Sequence, residues 1–172
     1  YASVVGPLEK PGCIADSTHI WWAIRPHPRL GTVEIRICDC VTRVEDAVAI
    51  AAFCQALVKH YCELAEQEGG IPGYHRILTT ENKWLAVRYG LEAPIMDLNT
   101  GARNRIAVAQ LVRRRLEEIE PHAEELGSDS ELEGIREILR RGNGSDRQLR
   151  VYNANRDIVE VVREIANATE DI

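Results

Sequence analysis

At 172 residues, with 45% hydrophobic and 28% charged residues, the chain has the length and the ordinary composition of one globular core. A net charge of −6 without a dominant basic stripe argues against nucleic acid as the main partner. No stretch approaches the roughly 20 apolar residues needed to cross a bilayer, and no signal pattern is present, so we expect no membrane partner and a cytoplasmic location.

The first predicted elements are a loop and two antiparallel strands. Residues 1–18 are expected to be loop-like or extended, because prolines and a glycine interrupt them. Residues 20–24 are predicted as a first strand, followed by a turn over residues 26–31. Residues 32–38 alternate apolar and polar side chains, which is typical of a half-buried strand.

Helices are predicted for most of the remaining chain. A capping-box pattern from Thr42 to Glu45 opens a helix to about residue 68. This helix is apolar around most of its circumference, so we expect it to be scaffold that is packed on more than one side. A short hairpin is expected within residues 93–104, Pro121 is expected to start a turn, and Asn155 to cap the last helix. The other predicted helices cover residues 80–89, 106–119, 128–142 and 156–168.

The five cysteines are an odd number and indicate reduced thiols in a reducing compartment. Cys38 and Cys40 lie close together, but no second Cys or His pair stands at a matching spacing. A zinc site is therefore not expected.

Two charged residues stand out on the second predicted strand. Glu34 and Arg36 are two apart, so both side chains point to one face, about 7 Å apart along the strand. At that distance a carboxylate can hold a metal ion while a guanidinium binds a phosphate or a second carboxylate. A surface ion pair on a solvated sheet face is the alternative that this pattern alone leaves open.

Longer motifs around this strand resemble those of one known family. Residues 19–28 (HIWWAIRPHP) and 31–39 (GTVEIRICD) resemble the carboxylate–amine ligase family often called glutamate–cysteine ligase type 2. Residues 82–91 (NKWLAVRYGL) are similar to that family's second block, and Arg147–Gln148 to its late Arg-Gln pair. The Glu-x-Arg-x-x-Asp pattern also resembles the metal- and phosphate-binding strand of glutamine synthetases.

The resemblance implies a ligase that uses ATP and Mg²⁺ to join a glutamate side-chain carboxylate to an amine, such as cysteine, through an acyl phosphate. It implies a glutamine synthetase-like α+β fold with an antiparallel sheet and packed helices. Residues 1–172 would be the mainly helical C-terminal part of a single catalytic domain, and the missing N-terminal half would complete the site. We expect the chain alone to be inactive and the complete protein to form a homo-oligomer.

Six residues form the predicted site. By the resemblance, Glu34 is a metal ligand and Arg36 binds phosphate. Arg25, beside two prolines that stiffen its turn, is expected to bind nucleotide phosphate or substrate carboxylate, with sheet-edge packing as the alternative. Arg25 and Arg36 are the predicted catalytic pair. His27, Arg88 and Arg147 are further candidates for nucleotide binding.

Some of these assignments leave alternatives open. His27 would be an incidental loop histidine, and Arg88 would cap carbonyl groups at its helix end. Asn82 and Arg88 are about 240° apart on a helix, so only one of them reaches the cleft while the other braces a loop. At the level of the whole protein, the alternatives are a non-catalytic helical interaction module, which would bind through helix 43–68, and a related phosphotransferase.

Overall fold

The chain folds into two compact units in a computed structural model that describes residues 2–68, 70, 71 and 73–170. The units comprise residues 1–40 and residues 41–172. Seven α-helices and two small antiparallel sheets lie in the described residues, which confirms the predicted α+β class.

The first unit contains one short helix and one β-hairpin. Helix α1 is Ala2–Glu9, strand β1 is Ile24–His27 and strand β2 is Thr32–Ile35. The two strands pair in antiparallel orientation, with Ile24 opposite Ile35 and Arg25 opposite Glu34. The antiparallel pairing is as predicted.

The loop predicted at the start of the chain is wrong, because residues 2–9 are helical. Pro7 lies inside α1 but removes only one backbone donor from this short helix. Val5 on the same helix is buried, so packing outweighs the interruption that the sequence indicates.

The first strand is also displaced from its predicted position, since it begins at Ile24 and includes Pro26. The carbonyl groups of Thr18 and Ile20 accept hydrogen bonds from the guanidinium of Arg25. These carbonyl groups are therefore bonded to the Arg25 side chain and are not free to pair with a neighbouring strand.

The most buried side chain of the hairpin lies on the opposite face from the one that its sequence predicts to be buried. The side chains of Ile24, Val33 and Ile37 are about half exposed. Arg25 on the other face is buried at 9% exposure. In the residues described here the apolar face of the hairpin has no cover, which is unusual for a two-stranded sheet.

Within the described residues, the second unit consists of six α-helices and a second hairpin. Its core joins α2, α4 and α5 through Ala49, Ala52, Ala56, Leu116, Ile119, Ala123, Leu132 and Ile135. The elements are α2 Val44–Glu68, α3 Arg76–Tyr89, β3 Pro94–Met96, β4 Arg105–Ala107, α4 Val108–Leu126, α5 Leu132–Arg141, α6 Gly144–Asn155 and α7 Ile158–Glu170. The hairpin β3–β4 is antiparallel; its first strand and turn lie within the expected residues 93–104, but its second strand lies just beyond them.

Helix α4 runs through Pro121, where the sequence predicts a turn. Its apolar stripe continues past the proline, because Ile119 and Ala123 are both fully buried. The helix ends at Gly127, whose φ of 68° is the left-handed conformation that favours glycine. Ile106, predicted as the start of this helix, lies in β4.

Helix α6 was not predicted, and it changes the interpretation of the residues around it. Asn143 and Asp146 form a reciprocal capping box at its start, where the sequence suggests only a glycine-rich loop. Asn155 ends α6 and does not cap the last helix as expected. At the start of α7, the Asp157 carboxylate accepts a hydrogen bond from the backbone N–H of Val159.

The sequence predicts no segment that is long and apolar enough to cross a bilayer, and helix α2 departs from that prediction. In the described residues it is the one helix long and apolar enough to cross a membrane, with a mean hydropathy of 1.2 over Val44–Gln67. A single such helix is weak support for a membrane segment, because core helices of soluble proteins share this composition. Ala49, Ala52 and Ala56 bury one face of α2, whereas Val48 and Val58 are exposed, so packing on a second side is not found here.

Replacing Gly134 with alanine should destabilise the second unit. A Cβ at this position would lie 2.6 Å from the Cβ of Ala49, so α2 and α5 would have to separate. Alanine is otherwise the better helix former by about 1 kcal/mol. We expect the free energy of unfolding to fall by about 1–3 kcal/mol, measured by chemical denaturation.

Two variants control this prediction. Gly144→Ala introduces the same methyl group where no atom lies within 4 Å, and it should cost no stability. Adding Ala49→Gly to Gly134→Ala should restore part of the loss. Equal stability of Gly134→Ala and the wild type would contradict the close helix contact.

Asp97 and Asn82 hold the β3–β4 hairpin in the second unit. The Asn82 side chain donates to the Met96 carbonyl and accepts from the Met96 N–H, both at 2.8 Å. The buried Asp97 carboxylate accepts from Arg114 at 2.9 Å and from the Asn99 N–H at 3.2 Å. The hydrogen bond from Arg114 is the main reason that the pKa of Asp97 lies below its ordinary value of 3.8.

Asp97→Asn should lower the free energy of unfolding at pH 7 by about 1–3 kcal/mol, because it removes a charged acceptor from Arg114. The lowered pKa means that the stabilisation is present above pH 3.8 and is lost as the pH falls through the folded-state pKa. Denaturation from pH 7 to pH 2 should therefore show a smaller loss in the variant. The same loss below pH 4 in both proteins would contradict the assignment.

Candidate functional site

The hairpin of the first unit brings four of the six predicted site residues onto one face. Arg25 lies directly opposite Glu34, and directly opposed side chains of an antiparallel pair share a face. Arg36 is two residues beyond Glu34, and His27 is two beyond Arg25, so both belong to the same face. The predicted shared face of Glu34 and Arg36 is therefore present.

One carboxylate is shared by two guanidinium groups on this face. Nη2 of Arg25 lies 2.5 Å from Oε2 of Glu34, and Nη1 of Arg36 lies 3.1 Å from Oε1. Two positive charges against one negative charge leave the trio with a net charge of +1. Such a group suits an anion such as a phosphate or a carboxylate.

Backbone carbonyl groups fix Arg25 in place. Its Nη1 donates to the carbonyl of Thr18 at 2.5 Å and more weakly to that of Ile20 at 3.4 Å. The turn that presents Thr18 is itself capped, because Asp16 accepts from the Thr18 N–H and hydroxyl. These two hydrogen bonds are the largest causes that lower the pKa of Asp16. Arg25 is thus rigid, and it holds Glu34 in turn.

Arg36 is the more accessible of the two arginines. Its side chain is 33% exposed, whereas that of Arg25 is 10% exposed. The Arg36 guanidinium lies 6.0 Å from the ring centroid of Trp21, which is itself 84% exposed. His27 contributes a buried Nδ1 that has no hydrogen-bond partner among the described residues. Arg36 and His27 therefore have capacity left for a ligand.

The remaining two predicted residues, Arg88 and Arg147, belong to the second unit. Arg88 is exposed on α3, with its guanidinium 5.2 Å from the ring centroid of Tyr89. Arg147 in α6 donates to the hydroxyl of Thr42 and lies 4.0 Å from Glu164 on α7. Its Nη1 is buried and has no partner in the described part of the chain. Of these two residues of α3, Asn82 is bonded to the β3–β4 hairpin, whereas Arg88 is accessible to a ligand.

Glu34 is the candidate magnesium ligand among the residues that the structure describes. No group of three His, Cys, Asp or Glu side chains that could hold a metal occurs in residues 2–68, 70, 71 and 73–170. Glu34 is a single carboxylate, and both of its oxygens accept from arginines. Since Mg²⁺ is often bound by one or two carboxylates together with substrate phosphates, Glu34 fits one ligand position and no more.

Several residues that hold the site were not identified from the sequence. The carbonyl groups of Thr18 and Ile20 give no sequence signal, because every residue carries one. Asp16 could have been found, since an Asp two residues before Thr18 is typical of a capped turn. The sequence pattern assigns Thr42 to a helix cap. Its contact with Arg147 joins residues that are far apart in the sequence, so no local pattern predicts it.

Comparison with known proteins identifies a family of carboxylate–amine ligases. The model of the glutamate–cysteine ligase family 2 matches residues 1–166. The chain is 41% identical over 170 residues to a Solibacter usitatus protein with the provisional name glutamate–cysteine ligase 2, covering 99% of this chain and 44% of that protein. A Sorangium cellulosum protein of the same provisional name is 43% identical over 158 residues, covering 92% of this chain and 42% of that protein.

The chain belongs to the glutamate–cysteine ligase family 2. This confirms the resemblance that its motifs indicate. The chain spans less than half the length of the two relatives, 44% and 42% respectively.

Arg25→Lys should loosen the hairpin, because an ammonium group cannot reach two carbonyls and a carboxylate as the guanidinium fork does. The Arg36 N–H donates to the Ala23 carbonyl at 2.8 Å and reports on the hairpin locally. We expect its hydrogen exchange to become about tenfold faster, a cost of about 1.4 kcal/mol.

Arg29→Lys is the matched control, because Arg29 is exposed in the turn between the strands. It should leave the exchange rate of the Arg36 N–H unchanged. If both variants exchange at the wild-type rate, Arg25 does not hold this hairpin.

Proposed function

We propose that the complete protein is an ATP-dependent carboxylate–amine ligase that forms a γ-glutamyl amide, as a glutamate–cysteine ligase does. By complete protein we mean a polypeptide that includes this chain and has the length of its relatives. Membership of the family and the names of the relatives support this proposal. The observation that carries it is the polar face of the hairpin, where Glu34 lies between Arg25 and Arg36.

The reaction needs activation of a carboxylate, whose oxygen is a poor leaving group. A glutamate side-chain oxygen attacks the γ-phosphorus of ATP, ADP leaves, and an acyl phosphate forms. The nitrogen of the amine then attacks the acyl carbon, loses a proton, and expels inorganic phosphate. The protein contributes charge neutralisation and positioning in both steps.

The four residues of the hairpin face take separate parts in this scheme. Arg36, exposed and carrying one contact to Glu34, binds a phosphate oxygen. Arg25 keeps Glu34 in place and adds positive charge to the same face. His27 has a buried nitrogen free for a hydrogen bond to the anion. Glu34 would be one ligand of Mg²⁺, which neutralises phosphate charge when bound.

Arg88 and Arg147 are proposed as further nucleotide-binding residues. Arg88 is exposed and has a stacking contact only with Tyr89 among its described contacts. Arg147 keeps one buried nitrogen without a partner, and an anion would satisfy it.

The exposed apolar surfaces support a proposal for the fold and partners of the complete protein. We propose a glutamine synthetase-like antiparallel sheet in which the N-terminal half covers the apolar face of the hairpin at Ile24, Val33 and Ile37. The exposed side of α2, with Val48 and Val58, would serve a homo-oligomer. Glutamate and an amine, such as cysteine, are the proposed substrates. The cytoplasmic location and the exclusion of nucleic acid and membranes stay predictions.

A second candidate function is a non-catalytic interaction module that binds through the exposed side of α2. The apolar residues Val48 and Val58 favour it. A third candidate is a related phosphotransferase, which transfers the phosphoryl or acyl group to another nucleophile. The mass of the product distinguishes this function from that of the ligase.

Glu34→Ala should reduce amine-dependent ADP release by the complete protein by about 10²–10³-fold, because a charge that organises the phosphate site is lost. Release is measured with glutamate, ATP, Mg²⁺ and a panel of amines that includes cysteine. Glu117→Gln, an exposed change on α4, is the control and should keep wild-type turnover.

Absence of ATP turnover by the wild type with every amine would overturn the ligase proposal and favour the interaction module. Residues 1–172 alone should release no ADP, because the described residues contain no group of three side chains that could hold a metal ion. Robust turnover by this chain alone would contradict the proposal that the site is shared.

A further inference from the structure

Two histidines outside the proposed site join helices α2 and α4. Nδ1 of His60 lies 3.1 Å from Nε2 of His122, and the rings meet edge to face with centroids 5.0 Å apart. The His122 side chain is 16% exposed. A hydrogen bond between two imidazole nitrogens needs one donor and one acceptor, so at least one of the two rings must be neutral.

The charged side chains around this histidine pair would be neutralised by one proton on the pair. Lys59 on α2 lies 2.5 Å from Glu63 on the same helix and 2.9 Å from Glu125 on α4. The hydrogen bond from Lys59 is the main cause of the lowered pKa of Glu63, and the bond to Glu63 raises the pKa of Lys59. Two carboxylates and one ammonium together carry one net negative charge. One imidazolium neutralises it, and a second would leave the cluster positive.

Charged groups elsewhere on the packed helices are paired with one another. Tyr61 meets the His60 ring edge to face at 5.2 Å and is uncharged. Helix α5 packs on both α2 and α4, and its Arg136 is paired with Glu120 at 2.6 Å. Arg141 of the same helix pairs with Asp46 on α2.

The pair does not form a metal site in the described chain. The facing nitrogens could bind one ion, but Glu63 lies 3.5 Å from Nδ1 of His122, on the far side of that ring. An ion between the rings would therefore have only two ligands. This agrees with the lack of any three-residue metal cluster in the part of the chain that the structure describes.

We propose that the hydrogen bond between His60 and His122 forms an acid-sensitive clasp between α2 and α4. The clasp persists when one ring is protonated and breaks when both rings are protonated. With both rings protonated, two N–H groups face each other and the hydrogen bond is lost. Acidification favours protonation of imidazole rings and therefore opposes this hydrogen bond. The unfolded chain then binds more protons than the folded chain, and stability falls as the pH falls.

The clasp lies beside the core of the second unit, so its opening has a defined structural consequence. Ala56 on α2 is four residues from His60, and Ile119 and Ala123 on α4 flank His122. Loss of the hydrogen bond would loosen the packing between α2 and α4, which the rest of this core depends on. This inference is independent of the proposed ligase activity.

The first test is the pH dependence of unfolding by urea, compared between the wild type, His60→Gln and His122→Gln. Glutamine can donate and accept a hydrogen bond but does not take up a proton. Between pH 7.5 and pH 5.5 the wild type should take up about one more proton on unfolding than either variant does. His19→Gln, which removes an exposed histidine of the first unit, should behave as the wild type.

The second test needs no variant and covers the case in which one fails to fold. Imidazole ¹⁵N spectra of the wild type should show two separate protonation steps, with the coupling across the His60–His122 hydrogen bond lost in the second. Equal pH dependence of the wild type and both glutamine variants would overturn the proposal. So would independent protonation of both rings with the coupling retained.

Discussion

The Glu34 carboxylate is held between the guanidinium groups of Arg25 and Arg36, and the proposed chemistry depends on that contact. The register of the hairpin creates it, because Arg25 and Glu34 are directly opposed across the strands. The Thr18 carbonyl accepts a hydrogen bond from the Arg25 guanidinium and holds that side chain in place. As a result, the face carries a fixed positive charge with an accessible guanidinium at Arg36, the arrangement that an anionic substrate requires.

A second constraint is the distribution of apolar surface. The hairpin buries Arg25 on its charged face and leaves Ile24 and Val33 about half exposed on the other, the opposite of what a half-buried strand normally does. Helix α2 likewise buries a face of alanines and exposes valines on another side. Apolar surface of this kind is usually covered in a working protein. The chain spans 44% of the length of one relative, so further parts of a family protein could supply that cover.

The sequence predicts those features that are set by local patterns. Alternation over residues 32–38 places Glu34 and Arg36 on one face, and the motifs around them indicate the family. The prediction fails where packing decides. Helix α4 passes through Pro121 because its apolar stripe continues, and α6 begins with an Asn-Asp capping box within a glycine-rich stretch. The partner of Arg147, Thr42, is distant in sequence, so no local pattern could reveal it.

The most direct measurement of the central claim is the fate of a carboxylate oxygen. The complete protein would be incubated with ATP, an amine acceptor and glutamate labelled with ¹⁸O in its side-chain carboxylate. Activation through an acyl phosphate predicts that one labelled oxygen appears in each inorganic phosphate released with the γ-glutamyl product. Phosphate without label, formed at the same rate as the amide, would contradict the account.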